Sequence, residues 1–513
     1  MAIEGGEGER VLGGIWTRPS IWLAVACLVL HALANGHYGF FRDELYFIVC
    51  GLRPDWGYVD QPPLIPLLAA GAHALSGDNV WLFRLWPALA MSATVAAAAE
   101  FARAVGGGRF AQGLAGLCVL LGPIFLLQGV LFYTDMFQAL TWLGLAWILL
   151  RLERTGDERW WLAFGAVAGL SLQSKYLVAF FIAALMIGLL ATPQRRSLLR
   201  PWIWLGGLLA AAIILPNLLW QQTHGWPFIE LGRAGAAGKN TVLSPAGFLW
   251  QQVLYVGPLA APVWIAGLWA GVARPPVKTA RTLVIAWVIL AAVFDAIHGK
   301  AYYLAPIYPA LLALGAGRIE AWVKRAWARG AVLALVAAAG VLTAPLTLPI
   351  LPVQTFVRYQ QALGFMPSVG ENDRLGVLPQ YYADMFGWPQ MARQVAAVYW
   401  ALPPQDRARA VFFGENYGEA AAIDLFGARL GLPPAISGHN QYFLWGPRGH
   451  DGGVVIIIGG DPAHYAALFR SFTVVGRIET PYAMPNETDQ PIYVLRGMKT
   501  PLAAFWPTVK AYR

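Results

Sequence analysis

Two neighbouring stretches organise this chain, Phe41-Arg42-Asp43-Glu44-Leu45-Tyr46 and Gly57-Tyr58-Val59-Asp60-Gln61-Pro62-Pro63-Leu64, and both follow its first apolar segment. Together they hold three carboxylates and an arginine, although only 13% of the 513 residues are charged. An acidic pair at a membrane surface can act as a general base, hold a metal ion or solvate the end of a helix. The two stretches therefore mark the first candidate site, with all three roles open.

The composition around these stretches indicates a polytopic membrane protein. Hydrophobic residues make up 58% of the chain, the mean hydropathy is +0.52 and there are 23 tryptophans. These values exceed those of soluble globular proteins. The net charge of +9 comes from basic residues in short clusters between apolar runs, a pattern that membrane orientation explains. We therefore expect membrane lipids, and no nucleic acid, as the surroundings of this protein.

We expect about eleven membrane spans, each needing about 20 apolar residues. The apolar runs are residues 20–36, 80–104, 109–128, 135–151, 160–174, 175–193, 201–222, 250–272, 281–297, 301–317 and 330–350. Basic residues cluster in alternate loops, as at Arg195, Arg196 and Arg200, and such loops face the cytoplasm. The pattern predicts a multi-pass protein of the plasma (inner) membrane. Its N-terminus, residues 1–19, would be cytoplasmic, and the region after Pro352 extracytoplasmic.

This topology collects ionisable residues on the outer side of the membrane. They are Asp43, Glu44, Asp60, Asp135, Lys175, His224, Glu230, Asp295, His298 and Lys300. An ionisable group at membrane depth costs about 2.5–3.5 kcal/mol on insertion scales, so a set gathered on one side indicates a shared aqueous cavity. The first outer loop, residues 37–79, also has an amphipathic pattern that would hold its apolar side chains in the interface and its carboxylates in water.

The region after Pro352 has a mixed, soluble composition over about 160 residues, which is enough for one domain. Residues 408–413, 453–458, 473–478 and 492–495 are typical of strands, and residues 417–430 and 462–470 of helices. The expected fold is therefore mainly α, with a polytopic helical domain at residues 20–352 and a small extracytoplasmic α/β domain at residues 353–513. Within the latter, residues 414–419 fit a binding loop or helix capping, and residues 437–445 fit a sugar-stacking loop or a packed one.

Five motifs carry a family resemblance: Asp43-Glu44, Tyr58-x-Asp60-x-Pro62-Pro63-Leu64, Thr134-Asp135, Gly169-Leu170-x-x-x-x-Lys175 and Tyr302-Tyr303-x-x-Pro306-x-x-Pro309. In this order, and on one side of the membrane, they resemble the dolichyl-phosphate-mannose-protein mannosyltransferase family. That family includes the bacterial lipid A aminoarabinose transferases and belongs to the GT-C membrane glycosyltransferases. The resemblance covers about residues 20–350.

The resemblance implies a membrane glycosyltransferase of the hexosyl or pentosyl type. It would move one sugar, with inversion, from a polyprenyl-phosphate donor to an acceptor hydroxyl on the extracytoplasmic face. The acceptor is left open as a lipid, a protein or a polysaccharide. Asp43 matches the general base that takes the acceptor proton, with Glu44 as its neighbour or alternative. Asp135 matches the family's second acidic residue, which shapes the donor or acceptor pocket.

The lipid phosphate that leaves the donor needs cations or hydrogen-bond donors. The aminoarabinose transferases have a lysine for this purpose in an acid-Lys-Pro-Pro motif, and this chain has Gln61 there. The role is therefore assigned to other cations and phenols, each with the alternative of simple snorkelling to the interface. The expected substrate-binding set is Arg42, Tyr58, Asp60, Gln61, Lys175, His298, Lys300, Tyr302 and Tyr303.

A divalent metal ion is the one cofactor that the sequence leaves open. Asp60, His224 and Glu230 offer oxygen and nitrogen ligands, and some relatives bind a metal near the position that matches Asp60. The alternative is that His224 is an ordinary hydrogen-bonded residue of a tryptophan-rich outer loop.

The competing functional class is a transporter or flippase of a lipid-linked sugar. A secondary transporter should show internal repeats and interrupted helices with polar groups near the middle of the membrane. No convincing repeat is visible in the sequence, and its charged groups fall at the ends of the spans. The pattern therefore favours the enzyme.

Overall fold

The computed structural model describes residues 18–235, 241–365 and 376–512 and divides into two compact units. The first unit comprises Met1–Gly36, Trp81–Leu218 and Val242–Pro352, and the second comprises His37–Val80, Leu219–Thr241 and Val353–Arg513. Residues 1–17 of the expected cytoplasmic N-terminus lie outside the described residues. The first outer loop and the region after Pro352, which the sequence assigned to two different domains, fall in one compact unit.

The first unit is built from helices. Its α-helices are Pro19–Ala34, Leu85–Ala104, Arg109–Leu121, Pro123–Gln128, Gln138–Thr155, Trp160–Leu172, Val178–Leu190, Pro201–Thr223, Pro245–Val256, Ala261–Ala273, Lys278–Ala296, Tyr308–Trp322 and Ala326–Thr343. In the described part of this unit, the 3₁₀ segments Pro193–Leu199 and Ala301–Ile307 lie between helices, and Ala344–Leu346 follows the last one. Together with the small sheet of the second unit, these helices confirm the predicted fold class.

Several helices of this chain are long and apolar enough to cross a membrane. Four qualify singly: Val80–Ala104, Pro201–Thr223, Lys278–Ala296 and Ala326–Leu346. Two sharply bent pairs, Val178–Leu190 with Pro193–Leu199 and Pro245–Val256 with Ala261–Ala273, raise the number to six if each pair is one span. The protein is therefore a multi-pass membrane protein. By helix length and composition, the described residues do not reach the expected number of about eleven spans.

Two of the expected apolar runs contain a break. The run at residues 109–128 is divided where Arg109–Leu121 ends at Gly122 and a second helix begins at Pro123. Proline lacks a backbone N–H, so it is favoured at the first position of a new helix and disfavoured inside one. The run at residues 301–317 likewise starts as the 3₁₀ segment Ala301–Ile307 before an α-helix begins at Tyr308. Apolar composition alone does not show these breaks.

Glycines bring two helices of the first unit into backbone contact. A Cβ atom at Gly165 would lie 2.0 Å from the carbonyl oxygen of Gly206, and one at Gly206 would lie 2.2 Å from that of Trp161. Small residues allow such close approach of helices in membranes. This contact holds the helix Trp160–Leu172 against Pro201–Thr223 and so fixes the position at which the chain leaves the former toward Lys175.

The second unit contains a four-stranded sheet. Its strands are β1 (Ala410–Phe413), β2 (Val454–Ile458), β3 (Phe469–Ile478) and β4 (Gln490–Met498), in the order β1-β2-β4-β3. β1 and β2 are parallel, with Val411 opposite Val455, and β4 is antiparallel to both of its neighbours. All five residues of β2 are buried, as expected for a strand covered on both faces. The four predicted strands are therefore present, and β3 and β4 are longer than predicted.

Short helices complete the second unit. They are Arg42–Gly51, Leu64–Ser76, Pro227–Ala234, Val353–Ala362, Gln380–Ala383, Trp388–Ala401, Pro404–Arg407, Tyr417–Ala422, Gln441–Trp445, Pro462–Leu468 and Leu502–Phe505. The helix Tyr417–Ala422 continues as a π-helix, Ile423–Gly427, and a 3₁₀ turn, Ala428–Leu430. The predicted helix at residues 417–430 is therefore one continuous helical segment of three types.

The helix Arg42–Gly51, called here the first-loop helix, is the element on which the candidate site depends. It packs so closely on Leu64–Ser76 that a Cβ atom at Gly51 would lie 1.9 Å from the carbonyl oxygen of Pro66. Leu45 and Ile48 are fully buried, and Phe47 is nearly so. These side chains were expected in the bilayer interface. They are core residues of the second unit instead.

Candidate functional site

Asp43 and Glu44 occupy the first turn of the first-loop helix, where free backbone N–H groups favour acidic side chains. Oε2 of Glu44 accepts a 2.8 Å hydrogen bond from the backbone N–H of Phe41, and the Glu44 side chain is fully buried. Such a bond from the third helical residue back to the cap is one half of a capping box. The carboxylate of Glu44 therefore closes the start of the helix.

The carboxylate of Asp43 is oriented differently. Its Oδ1 accepts a 2.8 Å hydrogen bond from the phenol of Tyr417 and lies 3.7 Å from Nε of Arg42. The side chain is 27% exposed. Within the described residues Oδ2 makes no hydrogen bond. Asp43 therefore has one oxygen fixed by the protein and one available to a ligand.

Tyr46 lies one helical turn after Asp43 and connects it to Asp60. Residues three apart share a helix face, and the ring of Tyr46 contacts the ring of Tyr417 with centroids 4.5 Å apart. Its hydroxyl donates a 2.8 Å hydrogen bond to Oδ1 of Asp60. Burial, and then the nearby carboxylate of Asp60, raise the pKa of Tyr46 well above its usual value, so this phenol remains a donor. Two phenols in ring contact thus join two carboxylates of the first loop.

Arg42, expected to bind substrate, is held by the protein itself. Its Nη2 lies 3.6 Å from Oδ2 of the buried Asp384, and its guanidinium carbon lies 5.3 Å from the centre of the Tyr417 ring. Burial alone would lower the pKa of Arg42, but Asp384, Tyr417 and Asp43 together raise it well above its usual value. A Cβ atom at Gly418 would lie 2.4 Å from Cγ of Arg42, so only glycine leaves room for this side chain. Arg42 therefore positions the site.

Tyr58 was also expected to bind substrate, and its hydroxyl is bonded to the end of the first-loop helix. The side chain is fully buried, and its hydroxyl donates to the carbonyl oxygen of Cys50 at 2.8 Å. Cys50 lies in the last turn of the first-loop helix, where carbonyl groups lack helical partners. Tyr58 therefore closes the end of the helix that Glu44 closes at the start.

Gln61 occupies the position at which the relatives have a lysine. Its backbone oxygen accepts a 3.0 Å hydrogen bond from the N–H of Tyr58, which forms a turn. Its side chain is 1% exposed, and neither atom of the amide group has a hydrogen-bond partner in the described part of the chain. A buried amide without partners costs about 1–3 kcal/mol. The buried side chain of Gln61 therefore lowers the stability of the folded protein.

Two loops of the second unit pack against the first loop. Asn416 caps the helix Tyr417–Ala422 by accepting from the N–H of Glu419 at 3.0 Å. Gln441 donates its backbone N–H to the hydroxyl of Tyr46 at 3.2 Å and accepts from the N–H of Val59 at 3.1 Å. Residues 414–419 are thus a capping loop that also presents a phenol to Asp43. Residues 437–442 form a packed loop that orients Tyr46.

A second cluster lies in the first unit. Nζ of Lys175 forms a 2.6 Å ion pair with Oδ2 of Asp135 and lies 5.6 Å and 5.1 Å from the ring centres of Tyr302 and Tyr303. Gln138 donates to the hydroxyl of Ser174 at 2.8 Å, which ties the two chain segments together. The structure therefore brings four of the predicted residues to one place in this unit.

His298 and Lys300 lie on the connection that leads to this cluster. His298 has a φ of +50°, in the left-handed region that non-glycine residues seldom adopt. Lys300 directly precedes the 3₁₀ segment Ala301–Ile307, which carries the two tyrosines. Both residues are therefore placed at the entrance to this segment by a constrained turn.

The three proposed metal ligands are not arranged as a metal site. No group of three histidine, cysteine or acidic side chains in the described ranges is placed to hold a metal ion. Glu230 forms a 2.6 Å ion pair with Lys510, and Nδ1 of His224 lies 2.8 Å from the carbonyl oxygen of Trp220. Because Asp60 binds Tyr46, each of the three has another partner. The described residues therefore do not gather this ligand set, and the metal ion stays a prediction of the sequence.

Sequence reasoning assigned no role to the residues that complete the first cluster, although it placed Tyr417 and Gln441 in two possible binding loops. They are Tyr46, Tyr417, Asp384 and Gln441. Tyr46 could have been found, because it lies three residues after Asp43 on the same helix. The other three follow Asp43 by more than 300 residues, and no sequence spacing connects them to it.

Sequence comparison supports the resemblance that the motifs indicated. Residues 60–220 match the family described as dolichyl-phosphate-mannose-protein mannosyltransferase. No curated protein sequence matches the chain. The matched residues include Asp60, Asp135 and Lys175, and this match confirms the resemblance over residues 60–220.

Several solved structures share the fold. ArnT from Cupriavidus metallidurans bound to undecaprenyl phosphate matches with a TM-score of 0.60 and 17% sequence identity, over 96% of this chain and 98% of that chain. The same protein in the apo state matches with a TM-score of 0.59 and 16% identity, over 94% and 98%. Arabinofuranosyltransferase AftD from Mycobacteria matches with a TM-score of 0.50 and 14% identity, over 94% of this chain and 40% of that chain.

Proposed function

We propose that this protein is an integral membrane glycosyltransferase that moves one sugar, with inversion, from a polyprenyl-phosphate donor to an acceptor hydroxyl on the extracytoplasmic face of the plasma (inner) membrane. The observation that carries the proposal is the carboxylate of Asp43 on the first-loop helix. One of its oxygens is bonded to Tyr417, and the other is available to a ligand. The fold shared with ArnT, which was solved with undecaprenyl phosphate bound, supports this choice of donor class.

Asp43 acts as the general base. The acceptor hydroxyl donates its hydrogen bond to Oδ2, while Tyr417 holds Oδ1. As the acceptor oxygen attacks the anomeric carbon, its proton passes to Oδ2 of Asp43. The bond between the anomeric carbon and the phosphate oxygen breaks on the opposite face, and the electron pair leaves with the lipid phosphate. One displacement of this kind inverts the anomeric centre.

Glu44 does not compete for this role. Its Oε2 is used by the N–H of Phe41, and its side chain has no exposed surface. A general base must lie within about 2.6–3.2 Å of the proton that it takes. An acceptor hydroxyl would have to enter the protein core to reach Glu44, whereas the carboxylate of Asp43 is 27% exposed.

Lys175 is the residue that we assign to the donor phosphate. Its ammonium group has three N–H donors, and the ion pair with Asp135 uses one of them. The aromatic faces of Tyr302 and Tyr303 hold the cation without using its donors. Asp135 thus orients a cation that retains the capacity to bind a second anion.

The test is a transfer assay with the purified full-length protein in lipid vesicles. A panel of radiolabelled polyprenyl-phosphate sugars is supplied with lipid, protein and polysaccharide acceptors, and released carrier and labelled product are measured. We expect turnover with at least one donor in the wild type and its loss in Asp43→Asn. Movement of the labelled lipid between leaflets with no transfer to any acceptor would assign the protein to the transporters instead.

A further inference from the structure

An apolar cavity of about 230 Å³ lies beside one face of the four-stranded sheet in the second unit. Val455 and Ile457 of β2 are two residues apart and therefore share a face of the sheet. Their partners in register, Leu495 of β4 and Phe413 of β1, lie on the same face. All four side chains line the cavity, and the helix Pro462–Leu468 also borders it.

This cavity is large for the interior of a protein. Protein cores are close-packed and contain few voids larger than a water molecule. An empty apolar cavity lowers stability in proportion to its volume, and an apolar cavity of about 150 Å³ stays dry and binds benzene. In the same proportion, the cavity beside β2 has space for about nine carbon atoms. The contents that suit it are therefore hydrocarbon.

The cavity reaches the surface of the second unit. Leu468 and Phe505 line it and are only half-buried. Three polar residues among those that line it, Glu415, Asp461 and His464, are exposed, and we call them the rim. A ligand can therefore enter past the rim and pack its apolar part against the sheet.

The rim is acidic. A Cβ atom at Gly460 would lie 3.0 Å from Oε1 of Glu415, and Asp461 is the next residue in the chain, so the two carboxylates lie on the same side of the cavity. Oδ1 of Asp461 caps the helix Pro462–Leu468 by accepting from the N–H of Ala463 at 2.9 Å. None of the described residues that line the cavity is a lysine or an arginine.

The negative charge at the rim acts on the interior of the cavity. Tyr465 lines the cavity and donates its hydroxyl to the carbonyl oxygen of Gly459 at 2.9 Å. Burial, and then the charge of Glu415, raise the pKa of this phenol above its usual value. The same field favours a cation at the rim and disfavours an anion.

We propose that this cavity binds a cationic amphiphile, with an apolar part of about nine carbon atoms against the sheet and a protonated amine paired with Glu415 and Asp461. A fatty acid would place its carboxylate beside two others, and a neutral alcohol would gain no ion pair. The site lies outside the cluster around Asp43, and its occupation does not depend on the proposed transfer reaction.

The test compares three probes of equal chain length: octylamine, octanol and octanoate. Full-length protein in nanodiscs of neutral phosphatidylcholine is titrated with each at about pH 7, where the amine is protonated and the acid is ionised. The melting temperature is measured without sugar donor, since a ligand of the folded state raises it. We expect octylamine to raise it at the lowest concentration, octanol at a higher one and octanoate least.

Val455→Phe locates the binding. The added phenyl ring fills part of the cavity and should raise the octylamine concentration needed at least about tenfold, because each displaced methylene contributes roughly fourfold in affinity. Octylamine that enters the bilayer acts equally on both proteins, so their difference reports the cavity. Val454→Ile is the matched control, since Val454 lies on the other face of β2 and should respond like the wild type.

Leu468→Trp decides the outcome if Val455→Phe fails to fold, because Leu468 is half-buried and has more room to adjust. It should weaken the response in the same direction. An octylamine response equal to that of the wild type in the cavity-filling variants would overturn the proposal. The absence of any octylamine response in the wild type would overturn it as well.

Glu415→Gln combined with Asp461→Asn tests the charge of the ligand. Asparagine also caps helices, so the helix Pro462–Leu468 should be kept. This double variant should respond to octylamine and octanol at similar concentrations. A preference for octylamine that survives in it, or a wild type that prefers octanol or octanoate, would overturn the cationic class. Every reading is made without sugar transfer, so failure of the proposed enzymatic function would leave these results unchanged.

Discussion

The phenol of Tyr417 donates a 2.8 Å hydrogen bond to Oδ1 of Asp43 across 374 residues of sequence. A carboxylate with one oxygen fixed in this way can rotate little, so its other oxygen is presented in one direction. Precise placement of the base relative to the reacting atoms is worth a large part of a catalysed rate. In the proposed reaction, Tyr417 is therefore a positioning residue for Asp43.

Tyr417→Phe should lower kcat about ten- to hundredfold, because a hydrogen bond to a charged group contributes about 1.5–3 kcal/mol. The phenylalanine ring can keep its contact with Tyr46, so KM for the donor should change little. The steady-state kinetics of transfer test this split between kcat and KM. Tyr465→Phe is the control, since that phenol donates to the carbonyl oxygen of Gly459 and should leave kcat unchanged. A wild-type kcat in Tyr417→Phe would show that the bond to Asp43 has no catalytic role.

Asp43→Asn and Glu44→Ala should separate catalysis from stability. The amide of Asp43→Asn keeps the shape but accepts no proton, so kcat should fall about 10²–10⁴-fold with little change in melting temperature. Glu44→Ala removes the bond to the N–H of Phe41 and should cost about 0.5–2 kcal/mol of stability while kcat is retained. Transfer rates and thermal unfolding of both variants check this. The reverse pattern would make Glu44 the base.

Gln61→Met should be neutral or stabilising, because it replaces a buried amide that lacks partners with an apolar side chain of similar length. Gln61→Lys places an ammonium group at the same buried position and should lower the melting temperature. Thermal unfolding of both variants tests the burial. If the sugar donor raised the melting temperature of Gln61→Lys and this variant transferred sugar faster than the wild type, the prediction would be contradicted. Position 61 would then contact the phosphate.

Glu419 should make the second unit less stable as the pH rises. Burial, and then the nearby Glu487 and Glu415, raise the pKa of Glu419 well above the value of 4.5 usual for a free glutamate. The folded protein therefore keeps a proton that the unfolded chain has lost. The stability that this proton provides is complete below the unfolded pKa and is lost as the pH rises through the folded pKa. The melting temperature of Glu419→Gln should therefore increasingly exceed that of the wild type as the pH rises above the usual pKa of a free glutamate. Parallel pH profiles of the two proteins would refute this.

The expected orientation can be tested by cysteine labelling. The three native cysteines are buried and should give little background. Val474 is 60% exposed on β3, and Leu199 is 86% exposed in the basic loop after Val178–Leu190. In intact cells an impermeant thiol reagent should label Val474→Cys but not Leu199→Cys. Labelling of the second alone would mean that the orientation is inverted.

The sequence predicts the parts of this protein that depend on local pattern. Alternating and continuous apolar runs predict β1 and β2 to within two residues, and the acidic start of the first-loop helix identifies Asp43. The number of spans stays a prediction, and a break such as Gly122-Pro123 was not predicted, because it interrupts a helix without changing its apolar composition. Partners of Asp43 that follow it by hundreds of residues depend on tertiary packing, which no spacing in one sequence reveals.

The sequence analysis also could not distinguish between Asp43 and Glu44, since both are acidic and adjacent. The structure separates them by helix geometry: successive residues of a helix point about 100° apart, so one carboxylate turns back to the cap and the other faces Tyr417. The choice between adjacent candidates therefore rests on the start position of the helix, which sequence patterns locate least well.

The separation of Asp43 and Tyr417 also has a consequence during biosynthesis. Ribosomes add about 5–20 residues per second, so about 20–75 s pass between the synthesis of the two side chains. During this interval the carboxylate of Asp43 has no phenol to orient it. A nascent chain stalled before residue 417 should consequently insert into the bilayer and yet transfer no sugar.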